Sequence, residues 1–181
     1  NQNTANMCAR GLAKTTIFAE YLFLYIAVYG AIPGFGSVNY ALYLSDSIDN
    51  GVKKMRLRIE RRCENSEFLR SYITQSKFTD IRWYFKNAEG KEFVVTGHGA
   101  KTGVRGTVEL NTRPQLAVLD DLLGDEDARS ATIIENVENT VYSAIDYALH
   151  PNKRKVIWSG TPFNSKDPLY KAIESGVWHV N

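Results

Sequence analysis

The stretch that most constrains this chain is Leu116-Ala117-Val118-Leu119, an apolar run closed by the acidic pair Asp120-Asp121. Four apolar residues in succession read as a strand buried in a sheet. The two carboxylates then stand at the carboxyl edge of that sheet, where open α/β sheets bind ligands. Burying such a strand needs a core of ordinary size. The 181 residues, 44% hydrophobic and 23% charged, are enough for one globular domain. A net charge of +2 is too small to argue for nucleic-acid binding by itself. Cys8 and Cys63 make no disulfide framework and suit a reducing compartment.

Strands and helices alternate along the chain, which predicts an α/β fold with a largely parallel sheet flanked by helices. Residues 15–29 lack Pro and Gly and are apolar nearly all round, so a helix sandwiched in the core is expected. The span 17–34 also has the apolarity of a signal peptide or membrane span, with Arg10 and Lys14 before it. Glu20 inside it, Pro33-Gly34 at its end and the lack of stop-transfer charges close behind favour a buried helix and no membrane.

A loop at 32–37 leads to a strand at 39–44, and Ser45-Asp46 offers a cap for the next helix. That helix carries Ile48, Val52, Met55, Ile59 and Cys63 on one stripe, with Lys53, Lys54, Arg56, Arg61 and Arg62 mostly on its other side. Residues 79–96 alternate as a hairpin turning at Asn87-Ala88-Glu89-Gly90, and a glycine-rich stretch fills 97–106. After the strand at 115–119 come an acidic loop at 120–127, a helix over about 128–149, the strand Lys155-Val156-Ile157-Trp158 and a short helix at 167–174. The chain opens without Met and stops on Val177-Trp178-His179-Val180-Asn181, which reads as an interrupted strand. A piece of something longer is expected.

The acidic pair gains meaning from Ala9-Arg10-Gly11-Leu12-Ala13-Lys14-Thr15-Thr16. A small-residue loop with Lys-Thr at the mouth of a helix can cradle phosphates through backbone N–H groups and one ammonium. The common pattern G-x-x-x-x-G-K-[ST] fails twice, because Cys8 and Ala13 hold the glycine positions. What survives is Lys14 for the β and γ phosphates, Thr15 as a hydroxyl for Mg²⁺, and Gly11 keeping part of the loop permissive. A Lys-Thr at an ordinary helix start is the plain alternative, and the polar stretch 1–7 makes a poor leading strand. Ala100-Lys101-Thr102 repeats the motif, but Gly103 and Gly106 prevent a helix from starting there, so it is a decoy. His98 is a lone histidine in a loop without partners for a metal.

Asp120 and Asp121 read either as a solvated helix cap or as a site. In the second reading Asp120 holds Mg²⁺ through water and Asp121 orients or deprotonates the attacking water. Ser159-Gly160-Thr161-Pro162, a small hydroxyl loop after another buried strand, can sense the γ-phosphate. Three strand ends carrying phosphate, sensor and metal chemistry point to a P-loop nucleoside triphosphatase.

These residues together resemble the ATPase domain of the large terminase subunit of tailed bacteriophages. The loop 9–16 resembles that family's deviant Walker A, with an arginine early in the loop. Gly103-Val104-Arg105-Gly106-Thr107 and Arg113-Pro114-Gln115-Leu116-Ala117-Val118-Leu119-Asp120-Asp121 resemble its approach to Walker B. Ser159-Gly160-Thr161-Pro162 with Leu169-Tyr170 resembles its coupling motif and the helix behind it.

The resemblance implies a RecA-like (ASCE) P-loop fold over 1–181 that binds ATP and Mg²⁺ and moves double-stranded DNA into a procapsid. It implies nucleotide contacts from Arg10, Gly11, Leu12, Ala13, Lys14, Thr15 and Thr16, and metal contacts from Thr15 and Asp120. Asp121 falls at the catalytic carboxylate position, where many members have glutamate. Arg105 is implied as an arginine finger acting on a neighbouring subunit, with Arg10 as rival and Arg113 as a weaker one. Ser159, Gly160 and Thr161 would couple.

Implied partners are the portal protein, the small terminase subunit and further copies in a ring, in the host cell cytoplasm and transiently on the procapsid portal. The adenine-recognising segment is expected upstream and an RNase H-like nuclease domain downstream, so this piece is not expected to cut DNA. Two other readings stay open: a helicase-like translocase with the same core, and a degenerate P-loop scaffold that binds without turnover, motivated by Cys8 and Ala13. The basic helix 52–62 is either a solvated face or a phosphate-tracking surface whose affinity for DNA falls steeply with salt.

Overall fold

The computed structural model describes residues 3–101, 104 and 108–180. Along the chain come β1 (Thr4–Met7), α1 (16–29), a small hairpin of β2 (Ala31–Ile32) and β3 (Gly36–Ser37), and β4 (Tyr40–Ser45). Next are α2 (48–65), α3 (Glu67–Tyr72), β5 (Ile73–Phe78), β6 (Arg82–Asn87) and β7 (Glu92–Gly99). The remainder is β8 (Leu116–Asp120), α4 (131–148), β9 (Lys155–Gly160), α5 (Pro168–Glu174) and β10 (His179–Val180). Wider π-type turns occupy 16–21, 48–52 and 140–145 within α1, α2 and α4.

One eight-stranded sheet runs in the order β10-β1-β9-β8-β4-β7-β6-β5. Every pair from β10 to β7 is parallel, and only β7-β6-β5 is antiparallel. The fold is therefore α/β with a mostly parallel sheet. β9 lies between β1 and β8, so the strand leading to the Lys-Thr loop and the strand ending in the acidic pair are separated by the strand ending in Ser159-Gly160.

Side-chain parity explains the layers. Ala41, Tyr43, Leu116 and Val118 pack with Phe23, Ile26, Met55 and Ile59 of α1 and α2. Leu42, Leu44, Ala117 and Leu119 pack on the other face with Ile134, Val137, Val141 and Leu169 of α4 and α5. Met55 and Ile59 are fully buried, each contributing about 1.5–3 kcal/mol of burial. Asp120 shares the parity of Leu116 and Val118, so it faces the α1 side, where the Lys-Thr loop enters its helix.

Four local expectations change. α1 is not sandwiched: Ile17, Tyr21, Tyr25 and Tyr29 are exposed while Phe23, Ile26 and Ala27 are buried. Its outer face is written in half-exposed tyrosines, whose rings count as apolar although each carries a polar hydroxyl. Ser47, not Asp46, caps α2, accepting from Asn50 N at 3.1 Å. The polar start of the chain does form a strand, because β1 pairs on both sides and Asn3 Oδ1 accepts from Val156 N at 3.0 Å. An edge strand, β5, joins the expected hairpin and leaves four of its six side chains exposed. Among the described residues no helix is long and apolar enough to cross a membrane.

Candidate active site

The Lys-Thr loop leaves β1 tied to the end of β9. Cys8 N donates to Gly160 O at 3.1 Å, and Thr161 Oγ1 donates to Cys8 O at 2.7 Å. Gly11 at φ +86° and Ala13 at φ +55° take left-handed backbone, curling the loop back before Ile17 N bonds Ala13 O at 2.9 Å and α1 begins. Glycine adopts this conformation freely; for alanine it is strained, costing ~1–2 kcal/mol. The loop therefore has the bend the second glycine of the common pattern would give, held by a residue that resists it.

At the head of α1, Lys14 is only 9% exposed, and its Nζ lies 3.0 Å from Asp121 Oδ2. Thr15 Oγ1 donates to Asp120 Oδ1 at 3.0 Å. Asp120 also accepts from Ser159 Oγ at 3.3 Å and from Tyr43 OH at 3.1 Å. Burial pushes the Asp120 carboxyl above the usual carboxylate range, and the nearby Asp121 charge adds to this; the Thr15 and Tyr43 hydroxyls and the Lys14 ammonium pull it back. Burial, then the charge of Asp120, pushes the Tyr43 hydroxyl well up, so it stays a donor. Asp121 sits at φ +45°, with its N donating to Ser159 O at 3.0 Å and its Oδ1 accepting from Thr161 N at 3.3 Å. A strained backbone at a polar cluster is a mark of functional sites.

Lys14, Thr15, Tyr43, Asp120, Asp121 and Thr161 line a cavity of about 620 Å³ between the Lys-Thr loop, the acidic loop and α2, with Ser159 buried behind it. Of the loop residues, Arg10, Gly11, Lys14 and Thr15 line it. Leu12 is 62% exposed, and Thr16 turns to a neighbouring groove with Glu20 and Arg62. Arg10 reaches across to Asp125 Oδ1 at 2.6 Å and stands over the Phe163 ring. Arg113 is at the opposite edge of the sheet, donating to Tyr147 O at 3.2 Å. Arg105 lies outside the described residues, as do Thr102, Gly103, Gly106 and Thr107. Lys101 pairs with Asp127 at 2.8 Å, outside the cavity.

No family model matches the sequence, and no curated protein matches it either. The chemistry must be read from the side chains.

The donor set around Asp120 is all oxygen: one carboxylate and the hydroxyls of Thr15, Ser159 and Tyr43. That suits a hard cation such as Mg²⁺. Among the described residues no cluster of three or more His, Cys, Asp or Glu would hold a metal alone. One carboxylate and a hydroxyl fit magnesium that shares its shell with water and phosphate, as it does in phosphoryl-transfer sites.

Tyr43, Lys54, Arg58 and Phe163 join the cavity without having been singled out by motif. Tyr43 is a polar tip in an otherwise apolar strand, but Tyr40 is another, and only the sheet order sets Tyr43 beside Asp120. The basic helix turns out mostly paired within the chain. Lys53 meets Asp49 at 2.8 Å and Asp80 at 3.4 Å, Arg56 meets Glu60 at 2.5 Å, and Arg62 pairs with buried Glu20.

Proposed function

We propose that this chain is a RecA-like P-loop ATPase core, the motor domain of a terminase-like machine that moves double-stranded DNA into a procapsid. The observation that carries the ATPase reading is the meeting of Lys14 and Thr15 with Asp121 and Asp120, each pair 3.0 Å apart, across an intervening strand whose end touches both. A structural cap has no need of a buried lysine.

In this reading the N–H groups at the start of α1 hold the β phosphate, and Lys14 moves from Asp121 to the β and γ phosphates. Thr15 and Asp120 would hold Mg²⁺, which supplies charge neutralisation between the phosphates when bound. Asp121, released by Lys14, orients a water and takes its proton as the water oxygen bonds the γ-phosphorus and the bond to the β-phosphate oxygen breaks. ADP and inorganic phosphate leave. Ser159 and Thr161 hold the two carboxylates and the loop in one hydrogen-bonded unit, which suits a coupling role.

The DNA substrate, the portal and small-subunit partners, the ring and the cytoplasmic setting rest on the resemblance of the motifs at 9–16, 103–121 and 159–170. Steady-state ATPase assays of the full-length protein with Lys14→Ala and Asp121→Asn test the enzyme reading. Turnover is expected to fall about 10²–10³-fold or more for each. Unchanged turnover in both would remove the motor assignment.

A further inference from the structure

The stripe Asn50, Gly51, Lys54, Met55 and Arg58 lines the cavity facing Lys14. These positions fall at i, i+1, i+4, i+5 and i+8, one continuous face of a helix. α2 is therefore not placed to offer its whole basic side outward. Its cations divide: Lys53, Arg56 and Arg62 have close acidic partners within the chain, Arg61 lines the neighbouring groove, Arg58 lines both that groove and the cavity, and Lys54 lines the cavity. Lys54 makes no ion pair among the described residues, and Arg58 stands 3.9 Å from a Glu20 carboxylate already engaged by Arg62.

The position of this stripe is built in. A Cβ on Gly51 would lie 2.0 Å from Ser45 Oγ, and one on Gly97 would lie 2.1 Å from Val52 Cγ1. Both glycines let the first turns of α2 press against the carboxyl edge of the sheet. Charge then decides what the stripe can do. Within the cavity Arg10 is matched by Asp125, Lys14 by Asp121 and Arg58 loosely by Glu20, so among the described residues the lining cation without an ion pair is Lys54.

We propose that Lys54, supported by the charge of Arg58, binds the terminal phosphate of a nucleoside triphosphate held by the Lys14 loop, and so makes the site prefer triphosphate over diphosphate. This rests on the nucleotide reading of the cavity. The Lys14 loop holds the phosphates common to both nucleotides, Lys14 itself also reaches the terminal one, and α2 adds a second cation beside the phosphate that only the triphosphate has.

The test is calorimetric titration of the full-length protein with a non-hydrolysable ATP analogue and with ADP, both with magnesium. Lys54→Ala, Arg58→Ala, Lys54→Arg and Lys14→Ala are compared with the unmodified protein. Lys54→Ala is expected to weaken the triphosphate analogue about tenfold and ADP by less than twofold. Arg58→Ala should do the same more weakly, and Lys54→Arg should restore the preference. Equal weakening of both nucleotides, or no change in either, in a Lys54→Ala variant whose Lys14→Ala counterpart loses binding would overturn the inference alone. Undiminished binding of both nucleotides by Lys14→Ala would overturn the nucleotide reading beneath it.

Discussion

The ammonium of Lys14 rests 3.0 Å from the carboxylate of Asp121, joining the head of α1 to the residue that follows β8. In the proposed reaction each group would be the other's competitor, the lysine being wanted on phosphate and the carboxylate on water. Asp121→Asn weakens this pair while keeping a residue type that tolerates the left-handed backbone at φ +45°. The variant is expected to bind nucleotide more tightly, because Lys14 is no longer held back, and to turn over about 10²–10⁴-fold more slowly. Titration and single-turnover rates measured on one preparation check both halves.

Asp120 carries a sign that separates stability from function. Its carboxyl is raised by burial, so the folded state resists its ionisation, and stability is lost as pH rises through the raised value. Asp120→Asn keeps one oxygen for the Thr15 and Ser159 hydroxyls, which already share Oδ1, presents N–H₂ to the Tyr43 hydroxyl and removes the buried charge. Its melting temperature at pH 7–8 is expected to exceed that of the unmodified protein, with the gain vanishing in acid where Asp120 is already protonated. Magnesium-dependent turnover should be lost at every pH. Thermal scans across pH, alongside ATPase assays, read this.

Ala13 is expected to be improvable. Its φ of +55° favours glycine by ~1–2 kcal/mol, less the ~0.5–1 kcal/mol that glycine loses through a freer unfolded chain. Ala13→Gly should therefore stabilise the fold by about 0.5–1 kcal/mol in denaturant unfolding, with turnover retained. A loss of stability would mean that the loop conformation is set differently.

Gly97 tests how closely α2 must sit. Its missing Cβ would fall 2.1 Å from Val52 Cγ1, so Gly97→Ala is expected to cost about 1–3 kcal/mol. Because the clash is with one methyl group, combining it with Val52→Ala should cost less than the two changes summed. Chemical denaturation of the double-mutant cycle measures the coupling.

What was legible in the sequence follows from where its signals are local. The buried strands β4, β8 and β9 and the helices 131–148 and Pro168–Glu174 carry their own periodicity and caps, such as Asp167 Oδ1 accepting from Leu169 N at 2.9 Å. β1 carries none: Thr4–Met7 is extended because β9 and β10 flank it, a fact about partners far along the chain. β5 hid in the same way, as a polar edge whose pairing with β6 alone defines it. Within the site, Lys14, Thr15, Asp120 and Asp121 could be named from motif and strand end. Tyr43 and Lys54 could not, since only the sheet order places β4 beside β8 and α2 over their common edge.

The placement of β9 between β1 and β8 has one more consequence. Cys8, Asp120 and Asp121 all hydrogen-bond to residues 159–161. Any event that shifts that crosspiece must alter the curl of the cradle and the aim of both acids at the same moment. For the proposed hydrolysis cycle this means no half-reset: the grip on product and the readiness to attack would rise and fall together, on one clock.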